Sequence, residues 1–436
     1  MTRSRRVGAL ALLLAVSLPP ACGGEPRPVP AKAAEVIAPA PDPEPVAAAL
    51  EPAADPALLA RASARFTALE CNRCHEIESI AAPTPEFDCV GCHRKILAGD
   101  FEASPQELAG WQSRIHSLVD VPRLVPGPRF RRAWLQGFLA DTHDLRPNLE
   151  AGMPRFALAP DDVATLAAWL SPAAETAAPA LGDATRGRAV IEAKGCGTCH
   201  RMRGVAPLPA TTLPIAIAPA ALARGQRLAP DLAHARERLR PAALLQWLES
   251  PEQLQPGTAM PTIPLDETER RDVAAYLLQA PLEAVAVAAV PERLPLLQRE
   301  VRYEEVDAKI FHKTCRHCHS DPELVIGDGG PGYSGGFGFP KRGLDLNSYE
   351  GILSGSLDDQ GQRRSLFSAT PQGVPRIVAH LLARHAEQAG RPLPGVRGMP
   401  LALPALPLED IQLLDTWIAQ GRKRNAQPGD DAEGAP

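Results

Sequence analysis

Cys196-Gly197-Thr198-Cys199-His200 decides the class of this chain, because the same spelling returns three more times. The other copies are Cys71-Asn72-Arg73-Cys74-His75, Cys89-Val90-Gly91-Cys92-His93 and Cys315-Arg316-His317-Cys318-His319. The four units use eight of the nine cysteines, and the ninth is Cys22. Disulfides would account for paired thiols in an exported chain but leave four histidines unexplained. Zinc competes for the first two units, since fourteen residues separate Cys74 from Cys89, a spacing that paired zinc ligands use. It does not explain the units at Cys196 and Cys315, which have no second pair nearby.

The chemistry that fits all four is covalent haem attachment. Two thiols three positions apart on one helical turn can each form a thioether with one vinyl group of the same porphyrin. The histidine that follows then faces the iron as proximal ligand. The chain is therefore expected to carry four haem c groups on Cys71, Cys74, Cys89, Cys92, Cys196, Cys199, Cys315 and Cys318, with His75, His93, His200 and His319 on the irons. Aromatic content is only 4%, and a large planar cofactor would supply apolar area that the cores otherwise lack.

Working outward, the units sit in three repeats. Three methionines precede a proline: Met153-Pro154, Met260-Pro261 and Met399-Pro400. Each comes before a predicted helix with an acidic start and an apolar face, over 161–170, 267–278 and 408–419. Those helices carry Trp169, Tyr276 and Trp417, at 16, 16 and 18 residues from the methionine. Upstream, predicted helices over 58–70, 186–194 and 306–314 run into the first, third and fourth units, with Phe66, Ile191 and Phe311 close before the cysteines.

This arrangement resembles the class I cytochrome c domain over most of residues 59–425. The resemblance implies a mainly α fold of three tandem helical domains, the first with an inserted second haem site. It also implies that the first and last helices of each domain cross, and that Met153, Met260 and Met399 are distal iron ligands. Leu228-Ala229-Pro230-Asp231-Leu232 is similar to the family's proline segment beside the proximal histidine, and Val121-Pro122-Arg123-Leu124 fills that place in the first repeat. The third repeat departs from the pattern, with a Gly-rich stretch over 327–338 and 80 residues from His319 to Met399.

The first repeat has two haem units and one Met-Pro pair, so one iron needs another ligand. The helix over 58–70 runs straight into Cys71, which favours His75 with Met153 and makes Cys89/Cys92 the insertion. His93 to Met153 nevertheless spans 60 residues, equal to His200 to Met260, and the choice stays open. His116 and His143 are the candidates for the remaining iron, with His116, after a predicted helix over 105–115, taken first. His317, between the cysteines of its own unit, is set aside.

Arg3, Arg5 and Arg6 followed by an apolar run over 7–18 read as an export signal over 1–21, too short to span a bilayer. Cys22-Gly23-Gly24 then resembles a bacterial lipoprotein acylation point. A Pro/Ala-rich tether fills 22–58, followed by a dihaem domain over 59–175, monohaem domains over 180–290 and 296–425, and a tail over 426–436. Linkers are expected near 171–179 and 281–295. The formal net charge of −5 becomes more negative once the signal arginines are removed, which argues against nucleic acid. The expected function is single-electron transfer between redox proteins in the periplasm or cell envelope, beside a membrane reached through a lipid anchor. Six-coordinate irons leave no substrate site. The alternatives are a multihaem oxidoreductase or peroxidase with one open iron, or the haem subunit of a larger respiratory complex.

Overall fold

The structure, a computed structural model, describes residues 56–84, 88–113, 115, 119–156, 158–172, 178–320, 343–358 and 360–425. Among these the architecture is mainly helical. One two-residue hairpin, Ser356–Leu357 with Arg363–Arg364, is the sole named sheet. No described helix is long and apolar enough to cross a membrane. Cys22, His116, the export segment and the Gly-rich stretch lie outside the described residues.

The second repeat shows most plainly why these residues fold as they do. Its leading helix, Ala184–Ala193, starts where the Asp183 carboxylate accepts from the Arg186 N–H, and gives way after Lys194 to Gly195 at φ 72°. That left-handed residue turns the chain into the short 3-10 turn Cys196–Thr198. The closing helix, Glu267–Gln279, begins in a capping box between Asp266 and Glu269. The two helices cross with almost no space between their backbones. A Cβ at Gly187 would lie 1.9 Å from the Asp272 carbonyl oxygen, so only glycine permits this approach. Ile191, Leu244, Val273 and Leu277 fill the core beside the crossing.

The first repeat repeats the device. Helix Pro56–Ala68 crosses helix Pro160–Leu170, with Phe66 edge-on to Trp169 at 5.4 Å and 74°. Arg65 clamps Asp162 through two hydrogen bonds of 2.7 and 2.6 Å. Glu70 takes the left-handed position at φ 57° and leads into the turn Cys71–Arg73. The helix begins at Pro56, so the tether ends before residue 58. Between the Cys71 turn and the next segment, helices Cys89–Ala98 and Pro105–Gln112 pack together, with Gln112 donating to the Ile96 carbonyl at 2.9 Å. The second of these stops three residues short of the expected 115.

The third repeat departs at its leading helix. An α-turn Tyr303–Val306 widens into a π-helix, Asp307–Cys315, that runs directly into the haem unit. The reason is a residue count. Phe311 precedes Cys315 by four positions, whereas Phe66 and Ile191 precede their cysteines by five. Phe311 still meets Trp417, edge-on at 6.4 Å. The long connection to Met399 holds helix Tyr349–Ser354, the hairpin and the amphipathic helix Arg376–Gln388.

Each repeat has its own buried cluster, and the repeats also touch. Phe130 and Leu239 form an antiparallel bridge, with Arg131 N–H donating to the Arg238 carbonyl at 2.9 Å and Arg240 N–H to the Arg129 carbonyl at 3.1 Å. Ser171 was expected to open a linker. It is instead fully buried, donating to the Phe130 carbonyl and accepting from Arg240 at 2.9 Å. The chain leaves the first repeat through this contact. Between repeats two and three, residues 281–295 form neither helix nor strand.

Candidate haem sites

The site at Cys196 is the most completely formed. Cys196, Cys199 and His200 line one wall of a cleft enclosing about 510 Å³, its open mouth included, and Met260, Pro261 and Ile263 line it as well. Gly225 sits against this wall, where a Cβ would come 3.3 Å from the Ala259 carbonyl and 3.8 Å from the Cys199 sulfur. The Nδ1 of His200 lies 2.9 Å from the Pro230 carbonyl. Donation to that oxygen fixes the tautomer and leaves Nε2 with its lone pair facing the cleft. Leu232 N–H also returns to the Arg201 carbonyl at 2.9 Å, so the proline segment is pinned beside the histidine from both sides. At Met260 the Trp247 indole N–H points at the sulfur, 2.8 Å away.

Burial sets the charge states. It lowers the His200 pKa, while the Pro230 contact acts in the opposite sense, and it pushes the Cys196 thiol up to about 11. A neutral imidazole is the form that binds a metal. A narrow apolar cleft lined by two thiols three residues apart, a fixed imidazole and a thioether fits a covalently attached haem. Once bound, that group supplies a one-electron iron centre.

The Cys71 site has the same frame. His75 Nδ1 lies 3.1 Å from the Pro122 carbonyl, and Leu124 N–H reaches the Glu76 carbonyl at 2.8 Å. Burial again lowers the His75 pKa and raises the Cys71 thiol to about 11. Met153 and Cys71 pack against the same first-repeat core. In the third repeat Cys315 and Met399 likewise share one core. His319 lacks the proline contact, having no hydrogen-bond partner at Nδ1 among the described residues, and burial depresses it to about 4. Its carbonyl accepts from Leu346 N–H at 2.6 Å, one residue out of step with the other two repeats.

The Cys89 site is built differently. Its unit starts a full helix, Cys89–Ala98, with Asp88 as N-cap accepting from Gly91 N–H at 2.8 Å. Its neighbours are the other units. The Cys74 thiol is hydrogen-bonded to Cys89, and Cys318 is near enough to both that ionising any of these thiols disfavours ionising the others. The His93 ring lies 6.2 Å from that of His317, with the planes 27° apart. The Cys-x-x-Cys-His units at Cys71, Cys89 and Cys315 therefore lie close together. Sequence reasoning did not bring His317 to His93, because only the docking of repeat three against repeat one places them together.

His143, the second candidate for the unassigned iron, lies elsewhere. Its ring is 5.2 Å from His234 of the second repeat and 5.4 Å from Phe138. Met202, buried at 4% exposure, is a core residue. No disulfide joins the eight described cysteines.

A mainly helical fold and a cleft lined by two thiols, an imidazole and a thioether fit a covalently bound haem. Residues 184–281 match the family model described as Cytochrome c, so this part of the chain is a cytochrome c domain, a class with covalently bound haem c that serves electron transfer. No curated protein and no solved structure matches the chain.

Proposed function

We propose that the chain is a tetrahaem c-type cytochrome, built from three tandem cytochrome c domains over 59–175, 180–290 and 296–425, that passes single electrons between redox proteins. The observation that carries the reading is the recurrence of the Cys196 frame. At both Cys71 and Cys196 a left-handed residue precedes the unit, and the histidine Nδ1 faces a proline carbonyl. A methionine from a Met-Pro pair accompanies each of Cys71, Cys196 and Cys315. Cys71, Cys74, Cys89, Cys92, Cys196, Cys199, Cys315 and Cys318 would hold the porphyrins. His75, His93, His200 and His319 would bind the irons, with Met153, Met260 and Met399 opposite three of them.

The basic-then-apolar start and Cys22 support export and lipid anchoring on the outer side of a membrane, with partners in the periplasm or cell envelope. Intact mass spectrometry of protein extracted from membranes tests both parts at once. The expected mass includes four haem additions and an acylated Cys22 at the N-terminus. Fewer than three haems in matured protein, or zinc in their place, would sink the carrier reading. A native high-spin iron that reacts with peroxide would turn it into an enzymatic one.

A further inference from the structure

The tetrahaem reading leaves the iron at Cys89/Cys92 one ligand short, and the structure supplies a candidate from another repeat. The His93 and His317 rings are neighbours, with centroids 6.2 Å apart and planes 27° apart. Ring atoms in direct face-to-face contact would be about 3.5–4.0 Å apart, so the centroid spacing is wider than a tight stack needs. It equals the span of two imidazoles on one metal once each ring turns a nitrogen edge, where the lone pair lies, toward the shared ion. A metal–nitrogen bond of about 2.0 Å on each side, with roughly a further 1.1 Å from nitrogen to ring centre, gives about 6.2 Å.

We propose that His317 is the second axial ligand of the iron attached at Cys89 and Cys92, giving that haem a His93/His317 pair. The proposal rests on the tetrahaem reading and adds to it which chain segment closes the fourth site. His317 lies between Cys315 and Cys318, so the loop that attaches one haem would also ligate the next. The positions of the sulfurs agree with this. Cys318, the residue after His317, is close enough to Cys89 for their charges to interact, and Cys89 is hydrogen-bonded to Cys74. The thioether edges of three haems would then meet at one corner, which favours fast exchange among them. Met153 packs against the same core as Cys71, and Met399 against the same core as Cys315. His143 is placed away from this pair, with His234 and Glu237 of the second repeat.

The test uses full-length holoprotein carrying His317→Ala, His317→Met or His116→Ala, with haem counted by intact mass and ligation read by electron paramagnetic resonance. His317→Ala should keep all haems while converting one ferric iron from low to high spin, and added imidazole should restore the low-spin signal. His317→Met should instead add intensity to the weak sulfur-to-iron band at the red edge of the visible spectrum and raise one potential. A merely structural role for His317 would give neither the imidazole rescue nor the new band. An unchanged set of low-spin signals in His317→Ala, or an open iron in His116→Ala alone, overturns the assignment while leaving four haems in place. Absence of haem on Cys89 and Cys92 in the wild-type mass overturns the assignment and the tetrahaem reading together.

Discussion

The units at Cys196 and Cys89 share their spelling and differ in nearly everything around it. Cys196 follows a left-handed glycine, enters a short turn, and has its histidine fixed to Pro230 with Met260 lining the same cleft. Cys89 follows an N-cap aspartate, starts a ten-residue helix, and has its histidine beside His317 from a different repeat. The five-residue spelling therefore specifies where a porphyrin can be attached. What lies on its far side is set by chain that can be distant in sequence. On the proposed ligation, the second repeat would close its own site, whereas the Cys89 site would be closed by assembly of repeats one and three.

The strongest way to break this comparison is to remove the distal sulfur on the self-contained side. Met260→Ala should lower one haem potential, remove about a third of the red-edge sulfur band and open one iron, the largest change of any substitution considered below. Trp247→Phe should move the same potential in the same direction by less, because it removes the N–H that draws on the Met260 sulfur. Potentiometric titration with optical detection reads both. If Met260→Ala leaves the band whole, the sulfur lining this cleft is packing, and the two sites are less different than they look.

Much of the difference was hidden in the sequence for a physical reason. Attachment is local, so Cys71, Cys89, Cys196 and Cys315 could be read from spacing alone. Closing helices were nearly as legible, since capping and a 3.6-residue period are also local. The expected 408–419 matches Leu408–Ala419, and 267–278 falls one residue short of Glu267–Gln279. The π-helix before Cys315 left a trace in the four-residue spacing of Phe311, but a shortened spacing does not say how the backbone absorbs it. His317 left none. Its meeting with His93 depends on tertiary docking, and no pattern within either repeat records that.

The glycines inside the two units offer a finer comparison. A Cβ at Gly197 would lie 2.3 Å from the Pro209 carbonyl oxygen and 2.8 Å from that of Leu208, so backbone must move. At Gly91 the collision is with the Asp88 carboxylate at 1.9 Å, a side chain that can swing away. Gly197→Ala should therefore cost about 1–3 kcal/mol, in the range of other overpacked sites. Gly91→Ala should come out within about 1 kcal/mol of wild type, because the lost cap and the gained helix propensity are each worth about that much. Denaturant melts followed in the Soret band measure the two costs. Equal costs would mean that the Cys89 unit is as tightly framed as the Cys196 unit.

The smallest expected effect concerns acid, and it probes the frame that makes the second repeat self-contained. Asp272 is buried at the helix crossing, where it accepts from Arg186 Nε at 2.8 Å, from a second Arg186 nitrogen at 3.0 Å, and from Asp183 N–H at 2.6 Å. The Arg186 hydrogen bonds, followed by the Asp183 N–H, hold this carboxyl below its ordinary range. A carboxyl whose folded pKa is depressed stabilises the fold at every pH above its unfolded pKa of about 3.9, and that contribution disappears as pH falls through the lower folded value. Asp272→Asn accepts fewer of these bonds and carries no charge at any pH. The mutant should melt below wild type at pH 7, and the gap should narrow once the pH drops below about 4. Arg186 is well exposed, so screening keeps the gap modest and added salt should reduce it further. The thermal midpoint of the second repeat, read through the Met260-associated band at pH 7, 5 and 3, measures it. A gap that stays constant across that range would mean that Asp272 acts by shape alone. The crossing at Gly187 would then hold the Cys196 site together without help from charge.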